Sequence, residues 1–199
     1  MKLVAVIAAS FLTVASFAQS AKVETETETA GLIGKRYVSA GFGWTDINNS
    51  SVEGMGTGVD VNIPFHTNFD LTVGYSYSWL EGAIDLGHTA SLGVTGYITR
   101  GENKYYATLS TGYVWASDDF DSDHGIWGAR AGIERAVTEK ISASFSVGYD
   151  DDFGQHRDAV CDVAIGGTYN ITSKLVASAE VAYIEYGSVG YSAGLAYRF

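Results

Sequence analysis

The last ten residues of the chain, 190–199, alternate strictly between two kinds of side chain. The apolar and aromatic residues stand at the odd-numbered positions, Tyr191, Ala193, Leu195, Tyr197 and Phe199. The even-numbered positions carry small residues and one arginine. Because successive side chains of a β-strand point to opposite faces, this pattern predicts a strand with one apolar face and one small face. The same period of two runs through the chain after residue 35, and it constrains the fold more than any other feature.

Ten segments share this alternation. We expect strands at about residues 36–45, 57–63, 69–79, 86–98, 105–115, 125–135, 141–149, 158–169, 175–184 and 190–199. Most are about ten residues long, which suits a tilted strand that crosses a bilayer. Beyond the first twenty residues the chain has no long apolar run that would form a membrane helix, and a closed barrel is the other structure that satisfies every backbone group in lipid. The sequence thus predicts an all-β fold, a transmembrane antiparallel up-and-down β-barrel of ten strands. Eight strands are the alternative if the short segment 57–63 pairs poorly, and a soluble β-sandwich is a further one.

The N-terminal residues have the features of a secretory signal peptide. Lys2 is followed by an apolar stretch over residues 3–14, and small residues at Ser16 and Ala18 suit cleavage after Ala18. A membrane anchor is the alternative, but the apolar stretch is too short to span a bilayer. We therefore expect a signal peptide over residues 1–18, a flexible periplasmic leader over residues 19–34 and an outer-membrane barrel over residues 35–199.

Charge and cysteine content exclude two function classes. The chain has 12 Lys and Arg against 23 Asp and Glu, so nucleic-acid binding is not expected. Its single cysteine, Cys161, cannot form an internal disulfide, which excludes a disulfide scaffold. On the predicted strand Cys161 faces lipid as a small apolar residue.

The connections and the aromatic residues give the predicted barrel an orientation. Residues 64–68, 100–104, 137–140 and 170–174 are short polar turns, whereas most other connections are longer, and two are strongly acidic. The tryptophans at the longer-loop ends of the strands are Trp44, Trp79, Trp115 and Trp127, and the aromatic residues at the short-turn ends include Tyr105, Tyr169 and Phe199. This arrangement predicts two aromatic belts, one at each membrane interface.

The signal peptide, the ten alternating segments and the terminal GYSAGLAYRF together resemble small bacterial outer-membrane β-barrel proteins, a group that includes porin-like and opacity-like members. In that family the closing strand ends in an aromatic residue that the barrel-assembly machinery reads. The matching residues here are Tyr191, Leu195, Tyr197 and Phe199. The resemblance implies a location in the outer membrane, contact with lipid and lipopolysaccharide, and the assembly machinery as a partner during biogenesis.

The small face of the strands carries charges that would point into the barrel. The acidic residues are Asp60, Asp70, Glu134, Asp162 and Glu180, and the basic residues are Arg130 and Arg198. We expect the charges to pair in a buried network. The other residues of this face are mostly Gly, Ser, Thr and Ala, which leave room for a narrow, weakly cation-preferring pore. The function expected is therefore a structural or surface barrel, or a narrow pore, with no cofactor.

The acidic loop at residues 118–125 is a candidate cation site. Asp119, Asp121 and Asp123 stand two residues apart, as the first oxygen ligands of a calcium loop do. The position of Gly125 departs from that pattern, so a solvated acidic loop is the alternative. Calcium or magnesium bound here, with help from the acidic residues 150–152, is the one metal ion that the sequence suggests.

Three histidines provide an alternative function. His88, His124 and His156 lie near the loop ends of their predicted strands, and aspartates lie close to them in sequence. The omptin proteases are ten-stranded outer-membrane barrels with Asp and His residues at the extracellular mouth, so a mouth-sited hydrolase is the alternative. None of the omptin motifs, and none of the common hydrolase motifs, is present. We therefore expect a protein that is not an enzyme.

Overall fold

The computed structural model describes residues 30–48, 53–82, 84–116, 123–154 and 159–199. The strands are β1 (Tyr37–Asp46), β2 (Glu53–His66), β3 (Phe69–Leu80), β4 (Ile84–Arg100), β5 (Asn103–Ala116), β6 (His124–Ala136), β7 (Ile141–Asp152), β8 (Val160–Asn170), β9 (Leu175–Ile184) and β10 (Ser188–Arg198). A short 3₁₀ turn, Glu185–Gly187, joins β9 to β10. No helix in the described part of the chain is long and apolar enough to cross a membrane.

Each strand pairs in antiparallel fashion with its neighbours in sequence, and β1 pairs with β10, so the sheet closes into a barrel. The closing seam runs from the pair Tyr37 and Arg198 to the pair Asp46 and Val189. The predicted ten-stranded up-and-down barrel is therefore confirmed. The eight-strand alternative is excluded because β2 pairs with the full length of β1, from Asn62 to Glu53. Closure also excludes a β-sandwich, which would leave sheet edges.

The two ends of the barrel differ in their connections. Residues 67–68, 101–102, 137–140 and 171–174 form short connections at one end, which we call the turn end. The first residues of β1 and the last residues of β10 lie at this end too, where Phe199 N donates to Arg36 O at 3.2 Å. The opposite end, where residues 185–187 lie, is the loop end.

The outer face of the barrel is apolar and exposed. Leu109, Ile165 and Phe199 are 68%, 65% and 63% exposed, and many other large apolar side chains are exposed on the same face. Water-soluble proteins rarely expose so large a continuous apolar surface. Near the loop end, Trp44 stacks on Tyr191 with ring centroids 4.8 Å apart. Exposure of this area to water is costly, so the face needs an apolar surrounding.

A β-bulge interrupts the pairing of β3 with β4. Ser78 pairs with Gly87 while Trp79 pairs with Asp85, so Leu86 is the extra residue on β4. The alternation places Leu86 on the lipid-facing side, and this prediction is wrong, because Leu86 lies in the bulge beside Gly87 (φ 125°) and is only 6% exposed.

The strands also extend past their predicted ends. Residues 64–66, expected in a turn, belong to β2, and residues 150–152, expected in a loop, belong to β7. Backbone pairing continues here although the sequence has turn-forming residues, because the neighbouring strands offer partners as far as these positions.

Residues 30–34, which precede β1, lie inside the barrel. Residues 30–34 are buried, and Leu32, 2% exposed, packs in one cluster with Tyr37, Val176 and Ala196. These five residues are the described part of the leader expected over residues 19–34. Residues 1–29, which include the predicted signal peptide, lie outside the described residues.

Candidate functional site

Glycines on the inner face make room for the large side chains of the neighbouring strands. A Cβ placed at Gly132 would lie 2.6 Å from the ring of Tyr106 and 2.6 Å from the carbonyl oxygen of Phe145. In the same way, Gly74 lies beneath the carboxylate of Asp60, and Gly148 lies beneath the Arg130 and Asp162 side chains. The alternating glycines therefore decide where charged and aromatic groups fit within the barrel.

A buried ion pair spans the wall formed by β6, β7 and β8. Arg130 Nη2 donates to Asp162 Oδ1 at 2.7 Å, and Arg130 Nη1 donates to Ser146 Oγ at 2.8 Å. Both charged side chains are nearly inaccessible, with 6% and 1% exposed. The carboxylates of Glu180 and Asp150 also act electrostatically on Arg130, so several acidic groups surround one guanidinium.

Polar residues at the turn end hold the backbone of residues 30–35. Glu134 accepts hydrogen bonds from Leu32 N at 3.1 Å and from Ile33 N at 3.3 Å. Lys104 Nζ donates to the carbonyl oxygen of Ile33. Three barrel strands, β5, β6 and β10, thus contribute charged groups to this contact, because Arg198 Nη2 donates to Gly31 O at 2.7 Å.

Neutral polar side chains complete the turn-end network. Arg198 Nη2 also donates to Asn170 Oδ1 at 2.9 Å. Asn62 Nδ2 donates to Lys35 O at 3.0 Å, and Thr72 Oγ1 donates to Asn62 Oδ1 at 2.9 Å. The backbone of the segment is therefore bonded to groups on several sides of the barrel, as buried backbone requires.

A small cavity of about 20 Å³, partly open to solvent, lies along the wall formed by β1, β2, β9 and β10. Its polar lining comes from Ser39, Asp60, Ser178 and Ser192. Small residues of β1 and β10 leave this side of the lumen open. Leu32 also lines the cavity, so residues 30–34 bound it at one side.

The structure places all seven charged residues predicted for the lumen in buried positions. They are Asp60, Asp70, Arg130, Glu134, Asp162, Glu180 and Arg198, and none is more than 7% exposed. It brings Arg130 and Asp162 into direct contact, and it brings Glu134 and Arg198 to the same backbone segment. Asp60 lines the cavity, and Asp70 lies close enough to Tyr97 and Tyr37 to act on them electrostatically.

Three inward charges were not predicted, Lys104, Asp150 and Asp152. Lys104 was assigned to a turn and the two aspartates to a loop, although each has an even number, as the inward residues of its strand do. Continuing the alternation past the predicted strand ends would have found all three.

The predicted cation site lies mostly outside the described residues, which include Asp123 but neither Asp119 nor Asp121. Asp150, expected to assist from a neighbouring loop, instead belongs to β7. Its carboxylate lies on the inner side of the barrel, next to Gly128 of β6. Within the described ranges, no group of three His, Cys, Asp or Glu side chains is arranged to hold a metal ion. Calcium or magnesium at the acidic loop stays a prediction.

The structure separates two of the three histidines. His88 lies on the outer face, where its Nδ1 is 2.7 Å from the Tyr75 hydroxyl and its ring packs against Tyr77. His124 is the first residue of β6. Its number is even, like those of the inward residues Ile126 and Arg130, so it belongs to the inner face of that strand. His156 lies outside the described residues. His88 and His124 therefore do not form a common site.

The four residues predicted as an assembly signal lie on the outer face of β10. Leu195, Tyr197 and Phe199 show 51%, 47% and 63% of their surface, and Tyr191 is covered by its stack on Trp44. Cys161 is also exposed on the outer face, as predicted.

This geometry, a closed barrel with an apolar exterior and a polar interior, defines a transmembrane β-barrel of the outer-membrane type.

No family model matches the sequence, and no curated protein matches it. Among solved structures, the translocator domain of the autotransporter NalP from Neisseria meningitidis is similar with a TM-score of 0.52 and 13% identity, over 97% of this chain and 95% of that one. An outer-membrane channel from Pseudomonas putida F1 is similar with a TM-score of 0.51 and 11% identity, over 89% of this chain and 100% of that one. The NanC porin covers 82% of this chain and 100% of its own, at 8% identity and a TM-score of 0.48. At these identities the two likenesses with TM-scores above 0.5 show a shared fold and no more.

Proposed function

We propose that the protein is a narrow, weakly cation-preferring pore of the bacterial outer membrane. The observation that carries the proposal is the cavity lined by Ser39, Asp60, Ser178 and Ser192. Hydroxyl groups and a carboxylate can replace part of the hydration shell of a small cation, and the small residues around them leave space for water.

The charge of the lumen supports a preference for cations. Among the described inward residues, the acidic ones are Asp60, Asp70, Glu134, Asp150, Asp152, Asp162 and Glu180, and the basic ones are Lys104, Arg130 and Arg198. An excess of one sign inside low-dielectric walls raises the local concentration of the opposite ion. Asp60 matters most for selectivity, because its carboxylate lines the cavity itself.

The outer-membrane location is supported by three features of the chain. The N-terminal residues resemble a cleaved signal peptide, the outer face is apolar, and the fold is shared with outer-membrane barrels. Lipid and lipopolysaccharide are the partners expected at that face. The alternative, a hydrolase at the extracellular mouth, has no support in the positions of His88 and His124.

Conductance tests the pore. The purified, folded protein is placed in a planar bilayer under a KCl gradient, and the reversal potential gives the ion selectivity. We expect discrete steps with a reversal potential of the cation-preferring sign, and a weaker preference in Asp60→Asn. The matched control is Asp46→Asn, because Asp46 is exposed at the loop end of β1. Equal selectivity of wild type and Asp60→Asn would contradict a cation path through the cavity. If the folded protein never conducts, even in variants whose residues 30–34 no longer block the lumen, the pore itself is contradicted.

A further inference from the structure

Residues 30–34 enter the lumen from the turn end and are held there through their backbone. The backbone N–H groups of Leu32 and Ile33 donate to the Glu134 carboxylate, and the carbonyl groups of Gly31 and Ile33 accept from Arg198 and Lys104. A carboxylate buried in a barrel needs donors, and buried ammonium and guanidinium groups need acceptors. The segment supplies both kinds of partner.

The sequence of the segment suits this position. Gly31 and Gly34 have φ of 108° and 98°, a conformation that residues with a Cβ rarely adopt. A Cβ at Gly31 would also collide with the Glu134 carboxylate. Leu32 joins an apolar cluster with Tyr37 of β1, Val176 of β9 and Ala196 of β10. Two glycines around one apolar anchor therefore let a short backbone segment fold back into the lumen.

The contacts of the segment are few compared with those of a strand. A turn bond from Lys35 N to Leu32 O (3.2 Å) closes it on itself. Gly34 makes a single β-bridge, and charged side chains hold the backbone of residues 31–33. Segments attached in this way open more easily than the elements around them.

We propose that residues 30–34 are an intrachain plug that closes the turn end of the lumen and opens when its backbone leaves Glu134. This inference rests on the proposed pore, because a plug regulates conduction only if the cavity conducts. The plug adds a regulatory element to that pore. Leu32 lines the cavity through which we propose that cations pass, so displacement of the segment opens the cavity toward the periplasm.

Thiol labelling tests the plug without any reference to conduction. Leu32→Cys is prepared in a Cys161→Ser background, since Cys161 is exposed, and the folded protein is treated with a polar maleimide. We expect slow labelling at position 32 and labelling roughly tenfold faster when Glu134→Gln is added, because a charge-assisted hydrogen bond is replaced by a neutral one. The matched control is Glu102→Gln, which removes a carboxylate at the same end of the barrel that is 67% exposed and pairs with Arg135.

Bilayer recording of the same full-length variants tests closure. We expect longer or more frequent open periods in Glu134→Gln and in Leu32→Asn than in wild type, and wild-type behaviour in Glu102→Gln. Heat-modifiable migration on gels shows that each variant contains a folded barrel. Leu32→Asn changes only the segment, so it keeps the test valid even if Glu134→Gln folds poorly.

The outcomes separate the two proposals. Fast labelling at position 32 in the wild-type background, or equal conduction in all variants, would overturn the plug and leave the pore standing. Slow labelling that Glu134→Gln accelerates, together with silence of every folded variant, would support the plug as an occupant of the lumen and overturn the pore.

Discussion

At the scale of single residues, the interior of this barrel is a set of large side chains that lie over glycines of the next strand. Tyr106 lies over Gly132, and Arg130 and Asp162 lie over Gly148. A glycine with such a neighbour cannot be replaced without moving the neighbour, whereas a Cβ added at Gly93 would have no atom nearer than 3.8 Å. The inner glycines thus differ in role although they look alike in sequence.

Gly132→Ala should destabilise the barrel by about 1–3 kcal/mol, the usual cost of overpacking, because its Cβ would meet both a backbone carbonyl and the Tyr106 ring. The measurement is the free energy of unfolding by guanidinium in lipid vesicles. Gly93→Ala is the matched control and should unfold at nearly the wild-type denaturant concentration. Equal stability of the two variants would mean that the glycine contacts do not shape the interior.

Arg130→Met should cost about 3 kcal/mol of unfolding free energy, because it leaves the buried Asp162 carboxylate without its cation. Adding Asp162→Leu should restore most of the loss. Arg135→Met removes a comparable pair that is exposed, and we expect a change of less than about 1 kcal/mol. If the two arginine variants lose the same stability, burial does not set the strength of the Arg130 pair.

At the scale of elements, the strands follow from the period-two pattern because one face meets lipid and the other meets the polar lumen. That physical difference makes the existence and order of all ten strands readable from sequence, including the pairing of β10 that ends beside Phe199. The bulge on β4 opposite Ser78 was not readable, since the extra residue, Leu86, changes side without any change in the local composition. The strand ends at residues 150–152 were missed because acidic residues favour loops unless a neighbouring strand offers hydrogen-bond partners.

The exposed terminal side chain after β10 leads to a prediction about assembly. Phe199→Ser should lower the amount of folded barrel recovered from cells, because the resemblance to outer-membrane barrels gives this residue a role in recognition by the assembly machinery. Refolding of the purified variant from urea into detergent should be nearly unchanged. Phe65→Ser serves as the control, since Phe65 is 59% exposed near the same end but lies on β2. Equal losses in cells for both variants would argue against a role specific to the last strand.

At the scale of the whole molecule, the barrel has an apolar exterior, a charged interior and a segment of its own chain within the lumen. Composition and alternation predicted the first two features, together with the seven inward charges. The third was not predicted, because residues 30–34 carry no pattern that distinguishes a leader in water from a backbone held by lumen charges. Their partners, Glu134, Lys104 and Arg198, lie far away in sequence, on three strands.

The position of the tryptophans predicts how the molecule sits in a bilayer. Trp44 and Trp115 show 41% and 44% of their surface on the outer face near the loop end. Their fluorescence should be quenched more by lipids brominated near the headgroup than by lipids brominated near the chain terminus, because tryptophan belts lie at the interface. Quenching by neither lipid would show that the outer face does not contact hydrocarbon.

The segment inside the lumen also has a consequence for the order of events in biogenesis. Its residues precede β1 in the chain, yet they end up enclosed by strands that follow them in sequence, with the Arg36–Phe199 contact beside them. The early part of the chain must therefore occupy the future interior before β10 docks on β1, or be threaded in afterwards. The first route has a lower entropic barrier, since the open sheet gives free access. By that route, residues 30–34 would meet Glu134 and Arg198 before the last strand closes the barrel.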